Sequence, residues 1–108
     1  PDRTCPTEEG DTPDCGSLIP ALEASSGRKL DRMTGKPSPA IVRVAAECLG
    51  IPIEDCLMVG DRLETDVLMG RNAGCDTAVV LTGITTPDML AGSDIRPDYV
   101  LQSIADLA

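Results

Sequence analysis

The sequence predicts an α/β fold in which a parallel β-sheet is flanked by helices. Two short runs, Cys56–Val59 and Thr77–Thr82, are apolar almost throughout rather than alternating, the pattern of strands covered on both faces. The stretches around them carry apolar residues at helical spacing, with glycine or proline at most of the junctions, so strands and helices take turns along the chain. A length of 108 residues allows one small domain.

Each element follows from local signals. Residues 1–15, rich in Pro, Asp, Thr and Gly and without apolar periodicity, read as loop or linker. The chain opens on Pro rather than an initiator Met, which reads as a piece of a longer polypeptide. Leu18, Ile19, Ala21 and Leu22 share a helical face over Gly16–Ser26, with Pro20 near the first turn and Gly27 as the stop. Ser38 as N-cap and Pro39 as first helical residue open a helix over 39–49; Ile41, Val44, Ala45, Cys48 and Leu49 form its apolar stripe and Gly50 ends it. Strand 56–59 runs into the turn Gly60-Asp61, and Thr65 or Asp66 is expected to cap a helix reaching Ala73, with Gly74 beyond it. After strand 77–82, Thr86 precedes a short helix over Pro87–Leu90; Tyr99–Leu101 reads as a third strand and Ser103–Leu107 as a terminal helical turn.

Composition narrows the functional classes. With 9 basic and 18 acidic side chains the net charge is −9, which argues against nucleic acid or an anionic membrane surface as the main partner. No apolar run approaches the roughly 18 residues of a membrane-spanning helix. Five cysteines without a C-x-x-C pair read as free thiols of a reducing, cytoplasmic setting rather than a disulfide framework or zinc site. The chain has no histidine, so mechanisms that need an imidazole have no candidate within it. No G-x-G-x-x-G follows a strand, which leaves a dinucleotide-binding half-domain little support.

Three features fall just beyond the carboxyl ends of strands or at a helix N-terminus, where open parallel sheets place their ligands. Asp61 follows strand 56–59 across Gly60, Asp66 lies five residues on, and Lys36 stands in Gly35-Lys36-Pro37-Ser38-Pro39 before a helix. Two nearby carboxylates suit a hard cation such as Mg²⁺, which binds through one or two carboxylates with waters and phosphate oxygens. A lysine ammonium and helix N–H groups suit a phosphoryl group. Each feature alone has a plainer reading: Asp61 as a turn residue, Asp66 as a helix cap, Gly-Lys-Pro as a surface loop. Their order and strand–turn–helix setting favour a site.

The strings G35-K36-P37-S38-P39, V59-G60-D61-R62-L63-E64-T65-D66, G70-x-x-A73-G74 and L81-T82-G83-I84-T85-T86 resemble the C-terminal half of haloacid-dehalogenase (HAD) superfamily phosphatases of the nitrophenylphosphatase type, which carry a large type II cap. The resemblance covers nearly the whole chain. It implies a Rossmann-like core without its first strands and its cap: residues 1–15 returning from the cap, residues 16–108 the C-terminal part of the core. It further implies that Lys36 and Asp66 are catalytic, that Asp61 is the direct Mg²⁺ ligand, and that Gly60, Arg62 and Thr65 support the loop. In that family an Asp of a D-x-D-G motif on the first strand attacks phosphorus, and this chain contains no D-x-D. The resemblance therefore implies a small phosphorylated substrate for the parent protein, a chain inactive by itself, and self-association or a complementing N-terminal half. A non-catalytic module that binds Mg²⁺ or a phospho-ligand, or pairs with another chain, is the competing reading.

Overall fold

The computed structural model describes residues 1–107. They form two compact units, Pro1–Met33 and the residues from Thr34 onward.

The first unit departs from the loop expected over residues 1–15. Strands β1 (Thr4–Thr7) and β2 (Gly10–Pro13) pair antiparallel, with Thr4 opposite Pro13 and Thr7 opposite Gly10. Gly10 has φ +118°, which a side chain would disfavour, so the glycine lets a tight connection close. Short exposed polar strands have no apolar alternation to betray them, which is why periodicity overlooks this hairpin. Helix α1 (Cys15–Ser26) follows, with Asp14 as N-cap, its carboxylate accepting from the Cys15 N–H at 2.6 Å. Gly27, at φ +69°, closes the helix by donating its N–H to the Glu23 carbonyl. The Glu23 carboxylate accepts from the Leu30 N–H and from Lys29 Nζ, and those bonds hold it below the usual carboxylate range.

In the second unit, strands β3 (Leu57–Gly60), β4 (Asp76–Val80) and β5 (Tyr99–Leu101) form a parallel sheet in that order. Leu57 aligns with Asp76 and Ala78 with Tyr99. Helix α2 (Ala40–Leu49) precedes the sheet and ends at Gly50 as expected. A 3₁₀ turn over Ile53–Asp55 leads from it into β3. Thr86 caps α4 (Pro87–Gly92), accepting from the Met89 N–H.

The β3–β4 crossover differs from the expected capped helix. Winding begins at Leu63 as a π-helical turn (Leu63–Val67) and becomes regular only in α3 (Leu68–Ala73). The N–H groups of Asp66 and Val67 both reach the Arg62 carbonyl. Neither Thr65 nor Asp66 caps α3, because both lie inside the coil; Asp66 instead reaches back to N–H groups before it, as the acidic member of a capping box does.

Leu63, Val67 and Val79 are buried together, with Leu90 and Ile95 packed on them. Thr77, also fully buried, donates both its N–H and its hydroxyl to the Asp98 carboxylate at 2.8 Å. These bonds hold Asp98 below the usual carboxylate range. Burial pushes the Cys75 thiol up. Among the described residues, β4 alone of the strands is covered along most of its length. The α2 stripe is largely open, with Ile41 59% and Leu49 70% exposed.

Candidate active site

The site grows from the end of β3. Gly60 closes the strand where a side chain has no room: a Cβ there would lie 2.3 Å from the Asp66 Cβ. That close approach folds the π-helical turn back over the strand end and brings the Asp66 carboxylate beneath the Asp61–Arg62 backbone. Asp66 Oδ2 accepts from the N–H of Asp61 at 3.2 Å and of Arg62 at 3.1 Å. Its other oxygen, Oδ1, accepts from Lys36 Nζ at 2.8 Å. The Asp66 side chain is 5% exposed and that of Lys36 41%. One buried carboxylate thus fixes the turn that presents Asp61 and anchors an ammonium group that still meets solvent.

Asp61 is held from the next strand over. Its Oδ2 accepts from the Ile84 N–H at 3.0 Å, and its carbonyl accepts from the Thr85 N–H at 3.0 Å. Among the described residues no donor reaches its second carboxylate oxygen. The Lys36 loop is tied down by Asn72 of α3, whose amide donates to the Pro37 carbonyl at 3.0 Å.

The structure brings Lys36, Gly60, Asp61, Arg62 and Asp66 together in this network. Arg62 takes part through its backbone, donating to Asp66 Oδ2 and accepting from the N–H groups that follow. Thr65 shares the turn but bonds none of them; its buried hydroxyl, like that of Thr85, has no partner among the described residues. Nothing in their residue types marks Gly83, Ile84, Thr85 and Asn72 as site residues in the sequence. The available signal for the first three was position, since L81-T82-G83-I84-T85-T86 leaves the carboxyl end of the strand beside β3.

The residues fit a hydrated Mg²⁺ as part of its shell. Asp61 offers one hard carboxylate oxygen with no donor among the described residues, while Asp66 is saturated by Lys36 and two N–H groups. Among the described residues no group of three acidic, cysteine or histidine side chains could enclose a metal. A cation that keeps several waters and completes its shell with phosphate oxygens matches that donor set better than one needing an all-protein cage.

The profile of the HAD-hydrolase-like family matches residues 33–107. The chain is 36% identical over 108 residues to the sugar-phosphatase AraL of Bacillus subtilis, a match spanning 98% of this chain and 38% of that protein. A 4-nitrophenylphosphatase of Thermotoga maritima superposes with a TM-score of 0.92 at 50% identity, over 99% of this chain and 41% of the other. A glycerol phosphate phosphatase of Mycobacterium tuberculosis, solved in complex with magnesium, superposes with a TM-score of 0.88 at 34% identity, over 98% and 32%. The chain thus spans about two fifths or less of the relatives it matches.

Proposed function

This chain belongs to the HAD-hydrolase-like family, and from that premise we propose that it carries the lysine and metal-binding half of a Mg²⁺-dependent phosphatase centre that hydrolyses a small phosphomonoester. The observation that carries the reading is the chain of contacts from Lys36 Nζ through Asp66 to the Asp61 backbone. It supports a common centre for three residues that lie 30 positions apart or less in sequence. The relatives' names, a sugar phosphatase and a nitrophenylphosphatase, support phosphate esters as substrates.

In this reading Asp61 would hold Mg²⁺, which when bound supplies positive charge to a phosphoryl oxygen. Lys36 would bring its ammonium to the same oxygens, where charge concentrates during phosphoryl transfer. Asp66 would act as an orienting group, since both of its oxygens are already engaged. Gly60 and the Arg62 backbone would shape the loop, with Thr65 beside them. The attacking aspartate of the aspartyl-phosphate route would come from outside this chain, which has no D-x-D. Five free thiols fit a reducing cytoplasm. No helix among the described residues is long and apolar enough to cross a membrane.

The test is turnover of p-nitrophenyl phosphate with Mg²⁺, by the chain alone and mixed with a polypeptide carrying a D-x-D-G strand of this family. Activity is expected only in the mixture and is expected to fall by orders of magnitude with Asp61→Ala. Turnover by the isolated chain that survives Asp61→Ala would overturn the assignment. One observation favours the alternative, a non-catalytic module that pairs with another chain: among the described residues no strand covers the outer edge of β3. In that case the mixture would form a complex without turnover.

A further inference from the structure

We infer that the Gly83–Thr85 segment is a positioning clamp that presents Asp61 to a cation through a single carboxylate oxygen. The inference rests on the metal reading of Asp61 given above and adds residues to which that reading assigns no role. The hold has two points. The Ile84 N–H occupies Oδ2, and the Thr85 N–H holds the carbonyl of the same residue. With Oδ2 already accepting from a backbone donor, the carboxylate oxygen that has no donor among the described residues is the one better placed to bind a cation, which favours one-oxygen ligation by Asp61. That form suits an octahedral cation such as Mg²⁺ better than Ca²⁺, whose shell readily accepts both oxygens of a carboxylate.

The clamp is closely fitted and anchored at both ends. A Cβ on Gly83 would lie 2.1 Å from Asp61 Oδ2 and 2.5 Å from its Cβ. The absence of a side chain at 83 is what allows the segment to approach the carboxylate. Upstream, Leu81 donates to the Leu101 carbonyl and continues the β4–β5 pairing. Downstream, Thr85 is 1% exposed and Thr86 caps α4. A segment pinned on both sides orients its partner before any ligand arrives, and partners that orient a metal ligand commonly account for 10–100-fold in affinity.

The experiment uses the full chain and two nuclear magnetic resonance readouts, amide hydrogen exchange and line broadening by Mn²⁺. Exchange of the Ile84 amide is expected to speed up about tenfold in Asp61→Ala, the effect of losing roughly one hydrogen bond, while the Val79 amide is unchanged. Mn²⁺ is expected to broaden the Gly60–Arg62 amides of the wild-type chain. In Gly83→Ala the same broadening should need about tenfold more Mn²⁺, at an unfolding midpoint too little changed to explain it. An Ile84 amide that exchanges at the unprotected rate in the wild type, or equally in wild type and Asp61→Ala, overturns the clamp whether or not Gly83→Ala folds. Wild-type affinity in Gly83→Ala overturns the clamp and leaves the metal reading standing. A wild-type chain with no broadening near Asp61 overturns the metal reading, and with it the purpose assigned to the clamp.

Discussion

Asp66 and Lys36 form one ion pair, yet removing either end should have unequal effects. Lys36 is 41% exposed, and a solvent-screened ammonium contributes on the order of 0–1 kcal/mol through such a pair. Asp66 is buried and accepts from Lys36 and from two backbone N–H groups. Its loss strands donors in a protected turn, at about 1–3 kcal/mol for an unmet buried group. Asp66→Ala is therefore expected to destabilise the chain more than Lys36→Ala by about 1–2 kcal/mol. Denaturant titration of both variants checks the order, and equal losses would mean that the backbone bonds contribute little.

Between elements, close packing at the β3–β4 crossover decides a case where two local effects oppose each other. Gly70 lies in α3, where alanine would be the better helix former by about 1 kcal/mol. A Cβ at 70 would lie 2.6 Å from Thr77 Cγ2 and 2.8 Å from Met58 Cβ, and overpacking a fitted interface costs about 1–3 kcal/mol. The clash should win, so Gly70→Ala is expected to lower stability, as thermal unfolding would show. At the β4–β5 pairing the Thr77–Asp98 bonds tie stability to pH. The folded state holds Asp98 below its ordinary value through the Thr77 bonds. Its contribution is therefore present above the ordinary carboxylate range and is lost as pH falls through the folded value. The wild-type unfolding midpoint should drop on acidification by more than that of Asp98→Asn, which cannot titrate. Parallel curves for the two proteins would rule the bond out as a source of acid sensitivity.

For the second unit as a whole, what is left uncovered matters as much as what is packed. The α2 stripe, with Ile41 and Leu49 mostly exposed, follows one side of a cavity of about 330 Å³ that continues along Ala45, Met58, Met69 and Cys75. The outer edge of β3 carries no neighbouring strand among the described residues. Open apolar surface and unpaired strand edges both favour association. The isolated chain is expected to self-associate with rising concentration, and Ile41→Lys with Leu49→Lys to reduce it. Light scattering that shows a monomer at every concentration would count against this.

What could be read from the sequence alone was the class of fold and three candidate residues, Lys36, Asp61 and Asp66, which the structure brings into one network. Unbroken apolar runs marked β3 and β4 as parallel strands, Gly50 and Thr86 marked a helix end and a helix start, and Lys36, Asp61 and Asp66 stood out by position. These signals are local, written within a few residues by capping chemistry, backbone freedom and apolar period. Other features were decided only in three dimensions. The hairpin over Thr4–Pro13 is held by backbone pairing of polar residues that share no apolar pattern. In the π-helical turn over Leu63–Val67, Asp66 bonds backward to Asp61 and Arg62 instead of forward into α3. The hold on Asp61 comes from backbone N–H groups of Ile84 and Thr85, more than 20 positions away. Every residue except proline carries the same N–H, so its partner is set by where the neighbouring strand ends, a matter of sheet register rather than residue type.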